Sequence, residues 1–226
     1  MEDLTSRWKI LSLTEVVAKT FQPIWQTRGN FEVCDGKDNI LLITFEMEVD
    51  AEKVIQGQPW AFDKHLVALL PYDGAVPVNE LVFESATFWV QIHNFPFQLL
   101  TMEAVLSIRE TIRQVSRPKD VGEMKGGNFM RVRVEVDIMK SLCRGRRISW
   151  DHLGEGWAAF MYECLPNICY CCGLVLHDNK DCDLWLSSRG SLRIEKQQFG
   201  SWIRAPQFNH VKKTVGRYRG MINQGG

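Results

Sequence analysis

The spacing of apolar side chains at the start of the chain predicts a helix followed by short strands. Within residues 12–25, helical spacing places five side chains on one side of the helix: Val16, Val17, Thr20, Phe21 and Ile24. Ser12 or Thr14 is the expected N-cap, because a hydroxyl oxygen can accept a hydrogen bond from the first turn. Pro23 lacks a backbone N–H, so it is expected to end or kink this helix.

Apolar runs separated by turn residues predict the rest of the first half. The expected elements are strand 31–34, hairpin turn 35–39, strand 40–46, helix 49–58 with Asp50 as its N-cap, and strand 65–70. The order helix, strand, strand, helix, strand indicates an α+β unit. The turn-rich stretch 73–79 then separates this unit from the second half.

The second half contains the clearest strand pattern of the chain. In residues 131–139 four apolar side chains alternate with Arg131, Arg133, Glu135 and Asp137, which predicts a half-buried strand with a charged outer face. The other expected elements are strand 87–93, helix 101–115, polar loop 116–128, and strands 146–150 and 157–164 joined by turn 151–156. Beyond Leu186 the periodicity fades, and a disordered tail is expected, at least after Phe208.

Composition excludes several classes of protein. Of the 226 residues, 45% are hydrophobic and 24% charged, which rules out a wholly disordered or fibrous chain. No apolar run approaches the roughly 18 residues of a membrane span. The acidic start Met1-Glu2-Asp3 does not resemble a secretory signal, so we expect an intracellular protein with reduced cysteines.

The net charge of zero conceals an uneven distribution. Residues 1–168 carry a net charge of −5, residues 169–183 carry −2, and residues 184–226 carry +7. A near-neutral body with a basic tail indicates a polyanionic partner, although a merely solvated tail is the alternative.

Five of the seven cysteines lie close together, with a histidine among them. Cys169, Cys172, His177 and Cys182 have the spacing C-x2-C-x4-H-x4-C. Zinc takes four tetrahedral N/S ligands, so this spacing predicts a Zn2+ site; the alternative is a coincidental cysteine cluster. Cys171 could compete with Cys172 as the second ligand, but Cys172 precedes Gly173, which eases the turn around the metal.

The remaining cysteines are expected to be packing residues. Cys164 is expected as a buried strand residue, and Cys34 and Cys143 as small buried or half-buried hydrophobes.

A zinc site closed by four protein ligands argues against catalysis, because a catalytic zinc keeps one position open for water. The sequence contains no nucleophile elbow, H-E-x-x-H motif or paired carboxylates. We therefore expect a protein that is not an enzyme and has no small-molecule substrate or membrane partner.

Several stretches in a fixed order are similar to a known family. They are Arg7–Glu15 (RWKILSLTE), Gly57–Phe62 (GQPWAF), Phe88–Pro96 (FWVQIHNFP), Met130–Val134 (MRVRV) and Tyr162–Pro166 (YECLP) running into the cysteine cluster. Together they resemble plant retroelement-derived proteins, like the first open reading frame of LINE-type elements, in which a domain of unknown function precedes a CCHC zinc knuckle. The resemblance implies zinc binding, nucleic-acid binding and an RRM-like (ferredoxin-like) α+β domain.

Three departures from that family indicate a diverged or domesticated copy. Leu176 replaces the usual glycine before the ligand histidine, which would strain the turn if this position needs a positive φ. The segment before the first helix is shortened, so the first sheet is expected to lack an edge strand. The turn at 141–147 (SLCRGRR) differs as well.

The candidate nucleic-acid contacts lie in and after the knuckle. Tyr170 follows the first cysteine, where knuckles of this type place a base-stacking ring; the alternatives are a merely exposed ring or packing on Pro166. Lys180 and Trp185 are further candidates, and Arg144, Arg146 and Arg147 form a separate patch. Cations of the tail are expected to contact phosphates; they are Arg189, Arg193, Lys196, Arg204, Lys212, Lys213, Arg217 and Arg219. The aromatic residues of the body are expected to form its core.

The expected organisation is an RRM-like α+β domain over 1–75, a second α+β segment over 76–166, the knuckle at 167–184, and a basic, largely disordered tail at 185–226. The leading hypothesis is a protein of the nucleus or cytoplasm that binds single-stranded RNA or DNA and can form homo-oligomers. The alternative is a protein-interaction module in which the knuckle is a structural staple and an exposed sheet edge pairs with another chain.

Overall fold

The fold is known from a computed structural model, which describes residues 12–37, 39–94, 114–116, 129–150, 154–188, 193, 195 and 197–208. It is a mixed α+β structure whose strands are mostly antiparallel. Within these residues, no helix is long and apolar enough to cross a membrane.

The first helix, α1 (Leu13–Trp25), begins and ends close to where the sequence predicts. Ser12 is its N-cap and forms a capping box with Glu15. Pro23 lies inside the helix, which continues for two more residues. The buried stripe is Val17, Phe21 and Trp25, whereas Ile24 is 49% exposed, so Ile24 was wrongly placed on the core side.

A hairpin and a second helix follow α1 as predicted. Strands β1 (Phe31–Asp35) and β2 (Leu41–Phe45) pair antiparallel, with Phe31 opposite Phe45. Helix α2 spans Glu48–Gln56 and has Met47, not the predicted Asp50, at its N-cap. The buried Asp50 carboxylate instead accepts hydrogen bonds from the backbone N–H groups of Arg28 and Gly29, both at 2.9 Å, and these bonds lower its pKa.

A small second hairpin completes the first half. Strand β3 (Trp60–Phe62), which the sequence analysis missed, pairs with β4 (His65–Val67). The first core gathers aromatic rings from both hairpins around α1; Phe21 stacks on Trp25 with a centroid distance of 4.5 Å. Alternation over about four to eight residues marks a strand, and the three residues of β3 are too few to show it; β4 was found only as part of the longer apolar run 65–70.

The second half forms a larger sheet. Its strands are β5 (Ser85–His93), β6 (Gln114–Ser116), β7 (Met130–Asp137), β8 (Gly145–Trp150), β9 (Gly154–Glu163) and β10 (Arg204–Ala205). The order is β10-β9-β5-β7-β6, and β8 also pairs with β9. All pairings are antiparallel except β10 with β9.

The helix predicted over 101–115 is contradicted at its end. Residues 114 and 115 belong to β6 and pair with β7, while residues 101–113 and most of the predicted loop, 117–128, lie outside the described residues. Pairing with a neighbouring strand outweighs the local helical spacing there.

One face of β7 is buried as predicted, but the opposite face is not a solvent face throughout. Val132, Val134 and Val136 pack in the core, yet Arg131 is also buried. Its guanidinium donates two hydrogen bonds of 2.8 Å to the carboxylate of buried Glu163 and lies 3.7 Å above the centre of the Trp89 ring. The buried carboxylate on β9 is what allows this arginine to be buried.

Part of the segment assigned to the tail is folded. Phe199, Ile203 and Ala205 are buried, and β10 pairs in parallel with the end of β9. Residues beyond Phe208 lie outside the described residues. The folded chain therefore extends past the knuckle and returns to the sheet.

Candidate zinc and nucleic-acid site

The cysteine cluster forms directly after β9. Cys169, Cys172, His177 and Cys182 each offer one ligand atom, and these four atoms lie within 4.8 Å of one another. The Sγ of Cys172 is 3.3 Å from Nε2 of His177. Cys169 and Cys182 are buried, and the other two are half-buried.

A tight turn presents the first two sulfurs. The backbone N–H of Cys172 points to Sγ of Cys169 at 3.5 Å, and the N–H of Gly173 donates to the carbonyl of Cys169 at 2.8 Å. Gly173 has φ +79°, a conformation that favours glycine. The turn therefore depends on glycine at this position, as the sequence predicts.

The last ligand lies at the start of a short helix, α3 (Asp183–Ser187). Burial opposes the thiolate of Cys182, but backbone N–H groups of Trp185 and Leu184 and the His177 side chain outweigh it and lower its pKa to about 6. Burial raises the pKa of Cys172 to about 12. Cysteine binds a metal ion as the thiolate, so metal binding at this site releases the thiol protons that remain.

The donor set fits zinc. Three sulfurs and one imidazole nitrogen are the ligands of a closed, tetrahedral structural site, and their mutual distances suit that geometry. Cys171 is not part of the cluster, which supports Cys172 as the second ligand. Leu176 does not have a positive φ, so its replacement of glycine causes no backbone strain.

Two predictions about the other cysteines are wrong. Cys164 follows β9 and is exposed with φ +51°, and Cys34 is exposed on the outer face of β1. Cys143 is half-buried as expected. Alternation along β1 decides which side chains face the core: Phe31 and Val33 lie on the inner face, so Cys34 lies on the outer face.

The cluster is packed into the core of the large sheet. Leu165, Ile168 and Val175 belong to that core, and the ring of Phe199 covers Gly173. The Oγ of Ser141 donates to the carbonyl of Cys172 at 2.5 Å, and the N–H of Leu142 donates to the carbonyl of Gly173 at 2.9 Å. Sequence spacing gave no sign of this docking, because most of the partners lie more than 25 residues away.

A surface cleft of about 250 Å³ lies beside the cluster. Tyr170 lines it and is partly buried against the core, so the predicted stacking ring is neither fully exposed nor fully covered. Its backbone N–H donates to Oδ1 of Asn179 at 2.7 Å. The other lining residues are Asn167, Ile168, Asp178, Asn179, Lys180 and Arg204. Arg204 was predicted only as one of the tail cations that contact phosphate, and no local motif marks Asn167.

The other predicted contact residues are not gathered at this cleft. Arg144 donates a hydrogen bond to the carbonyl of Gln198 at 2.9 Å and lies over the Phe199 ring, so its side chain stabilises the folded C-terminal segment. Arg147 and Arg193 are exposed, Arg146 is half-buried, and Trp185 is half-buried on α3. Arg189 and Lys196 lie outside the described residues.

Fold and cluster together define a mixed α+β protein with a CCHC-type zinc knuckle. Residues 136–184 match the family model described as Zinc knuckle, and residues 14–79 match the Domain of unknown function (DUF4283). The resemblance to a domain of unknown function followed by a knuckle is thus confirmed. No curated protein and no solved structure matches the chain.

Proposed function

We propose that this chain is a non-enzymatic, zinc-binding protein that binds single-stranded RNA or DNA through its knuckle. The observation that carries the proposal is the position of the partly exposed Tyr170, in a cleft with Lys180 directly beside the four-ligand cluster. Base stacking on an aromatic ring contributes about 1–3 kcal/mol per base and tolerates any base.

Zinc would be held by Cys169, Cys172, His177 and Cys182 and would act as a structural staple. Since these side chains close all four positions, no position is left for a reactive water, which supports a non-enzymatic role. The formal charge of the loaded site, −1, disfavours phosphate at the metal itself and leaves that contact to nearby cations.

Cations after the knuckle supply the rest of the expected affinity. The chain carries a net charge of +7 over residues 184–226, and neutralised phosphates release counterions, so binding should weaken steeply with salt. Exposed Arg193 remains a candidate for such contacts, as do Arg189 and Lys196; exposed Arg147, which precedes the knuckle, is a further candidate.

The proposal includes the origin and setting of the protein. The two family matches support a retrotransposon-derived architecture. The order α1-β1-β2-α2-β3-β4 has one strand more than an RRM-like domain without its first strand, and its two hairpins form separate two-stranded sheets. We propose that the protein acts in the nucleus or cytoplasm on nucleic acid, without a membrane partner.

A strand-binding titration tests the function. Zinc-loaded protein, with one zinc per chain, is titrated against labelled 20-nucleotide oligo(dT) and oligo(U) at two salt concentrations. We expect binding that weakens with salt, and Tyr170→Ala to weaken it by about fivefold or more, the loss of one stacked base. Tyr170→Phe keeps the ring and should retain affinity. Absence of binding at low salt would refute the proposal.

A second candidate is a protein-interaction module in which the knuckle only stabilises the fold. The docking of Ile168, Val175 and Gly173 into the core of the sheet favours it, because such contacts are those of a structural staple. It predicts concentration-dependent assembly in sedimentation experiments that persists when residues 209–226 are removed, with no affinity for single strands.

A further inference from the structure

The cleft beside the knuckle contains residues from outside the knuckle sequence. Asn167 comes from the segment leading out of β9, and Arg204 comes from β10, 22 residues after the last zinc ligand. Tyr170 and Lys180 belong to the knuckle itself. The cleft is therefore assembled only when the C-terminal segment returns to the sheet.

Backbone contacts hold Arg204 in place at the cleft. Nη1 of Arg204 donates to the carbonyls of Leu165 and Pro166, at the point where β9 leads into the knuckle. The parallel pairing of Arg204 with Tyr162 and the burial of Ile203 and Ala205 fix its backbone. A guanidinium has five N–H donors, so these bonds leave others for a ligand.

The charges that line the cleft favour an anion. Lys180 and Arg204 are cationic, and Asp178 is the one carboxylate among the lining residues. An oxygen of Asp178 already accepts the backbone N–H of Lys180 at 2.7 Å. The side chain of Asn167 adds amide hydrogen-bonding capacity.

We propose that Arg204 and Asn167 complete a one-nucleotide subsite, in which a base lies against Tyr170 and the attached phosphate is bound by Lys180 and Arg204. The inference rests on the proposed function and extends it, because the binding unit becomes the knuckle together with residues 197–208. Arg204 pre-organises the cleft through its carbonyl contacts and supplies one phosphate contact.

The test uses the full zinc-loaded chain and labelled 20-nucleotide oligo(dT) and oligo(U). Arg204→Gln should lower affinity and reduce the slope of log K against log salt by about 0.7, the contribution of one phosphate contact to a single strand. Arg204→Lys keeps the charge and should retain the slope. Lys19→Gln removes an exposed cation of α1, a helix that does not line the cleft, and should leave affinity and slope unchanged.

A second variant avoids the carbonyl contacts of Arg204. Asn167→Asp places a negative charge in the cleft while its backbone N–H can still donate to the carbonyl of Lys64. It should weaken binding about fivefold or more, whereas Asn79→Asp, an exposed position in the first half, should not. Thermal unfolding of each variant separates a binding defect from a folding defect.

The outcomes separate this inference from the function on which it rests. Wild-type binding that Tyr170→Ala weakens, with wild-type affinity and salt slope in Arg204→Gln and Asn167→Asp, would overturn the subsite and leave the function intact. An equal loss of stability in Arg204→Gln and Arg204→Lys without a change in slope would also overturn it. No strand binding by the wild type would overturn both.

Discussion

At the scale of single residues, glycine and the ring that covers it decide the shape of the knuckle. Gly173 has φ +79°, and a Cβ at this position would come within 2.2 Å of the Phe199 ring. Spacing within the sequence predicts the need for a flexible residue. The ring that fills the space above it comes from 26 residues further along the chain and could not be predicted.

We expect Gly173→Ala to destabilise the knuckle by more than the cost of the left-handed backbone conformation alone. The left-handed conformation costs about 1–2 kcal/mol for a residue with a Cβ, and displacement of Phe199 adds to it. Urea unfolding and zinc affinity measure the loss. Gly74→Ala is the matched control, because Gly74 has φ +81° and an added Cβ would meet no atom within 4 Å. This variant should lose only the free energy of the left-handed backbone conformation. Equal losses in both variants would contradict the role of Phe199.

At the scale of secondary-structure elements, helix ends were predictable where the signal is local. The capping box Ser12-x-x-Glu15 lies within one turn, so the sequence contains all of it. Asp50 was wrongly predicted as an N-cap because its carboxylate instead accepts a hydrogen bond from the backbone N–H of Gly29, 21 residues earlier in the chain. The same limit applies to β6, whose residues are held by β7 rather than by their own pattern.

We expect Ser12→Ala to lower the free energy of unfolding by about 1 kcal/mol, since it removes the acceptor for the N–H of Glu15. Thr14→Ala is the control, because the Thr14 hydroxyl contacts Ser12 but does not cap the helix, and it should cost less. Urea denaturation followed by circular dichroism measures both. A larger loss in Thr14→Ala would reassign the cap to Thr14.

At the scale of the whole molecule, a buried ionic network joins three strands of the large sheet. Arg131 of β7 and Glu163 of β9 form a bidentate pair, and Nε2 of Gln91 on β5 donates to Glu163 at 2.8 Å and to the carbonyl of Pro206 at 3.0 Å. The network therefore ties the C-terminal segment to the sheet next to the proposed subsite.

We expect Glu163→Gln to destabilise the protein by about 3–5 kcal/mol, because it leaves the guanidinium of Arg131 buried without a counter-charge. Chemical denaturation is the measurement. Glu155→Gln, which changes an exposed glutamate on the same strand, should shift stability by no more than about 0.5 kcal/mol. If Glu163→Gln is equally mild, the pair contributes little to the fold.

Removal of zinc should loosen the large sheet and not the first core. Leu165, Ile168 and Val175 are shared between the knuckle and the sheet, while α1 packs in a separate cluster. Hydrogen exchange after chelation should show lost protection in β9 and β5 and unchanged protection in α1. Cys182→Ser should reproduce the effect without chelator, and Cys34→Ser, at an exposed cysteine outside the cluster, should not. Uniform loss across both halves would contradict the separation of the two cores.

The sequence by itself determined the candidate zinc ligands, the first helix and its cap, and most of the strands. Each of these depends on residues a few positions apart, whose spacing is fixed by backbone geometry. Only the tertiary structure decided that Arg131 is buried, that the Asp50 carboxylate accepts hydrogen bonds from a distant loop, and that Arg204 lines the same cleft as Tyr170. Those outcomes depend on contacts between residues 20 to 35 positions apart, where the energy of packing and pairing outweighs local preference.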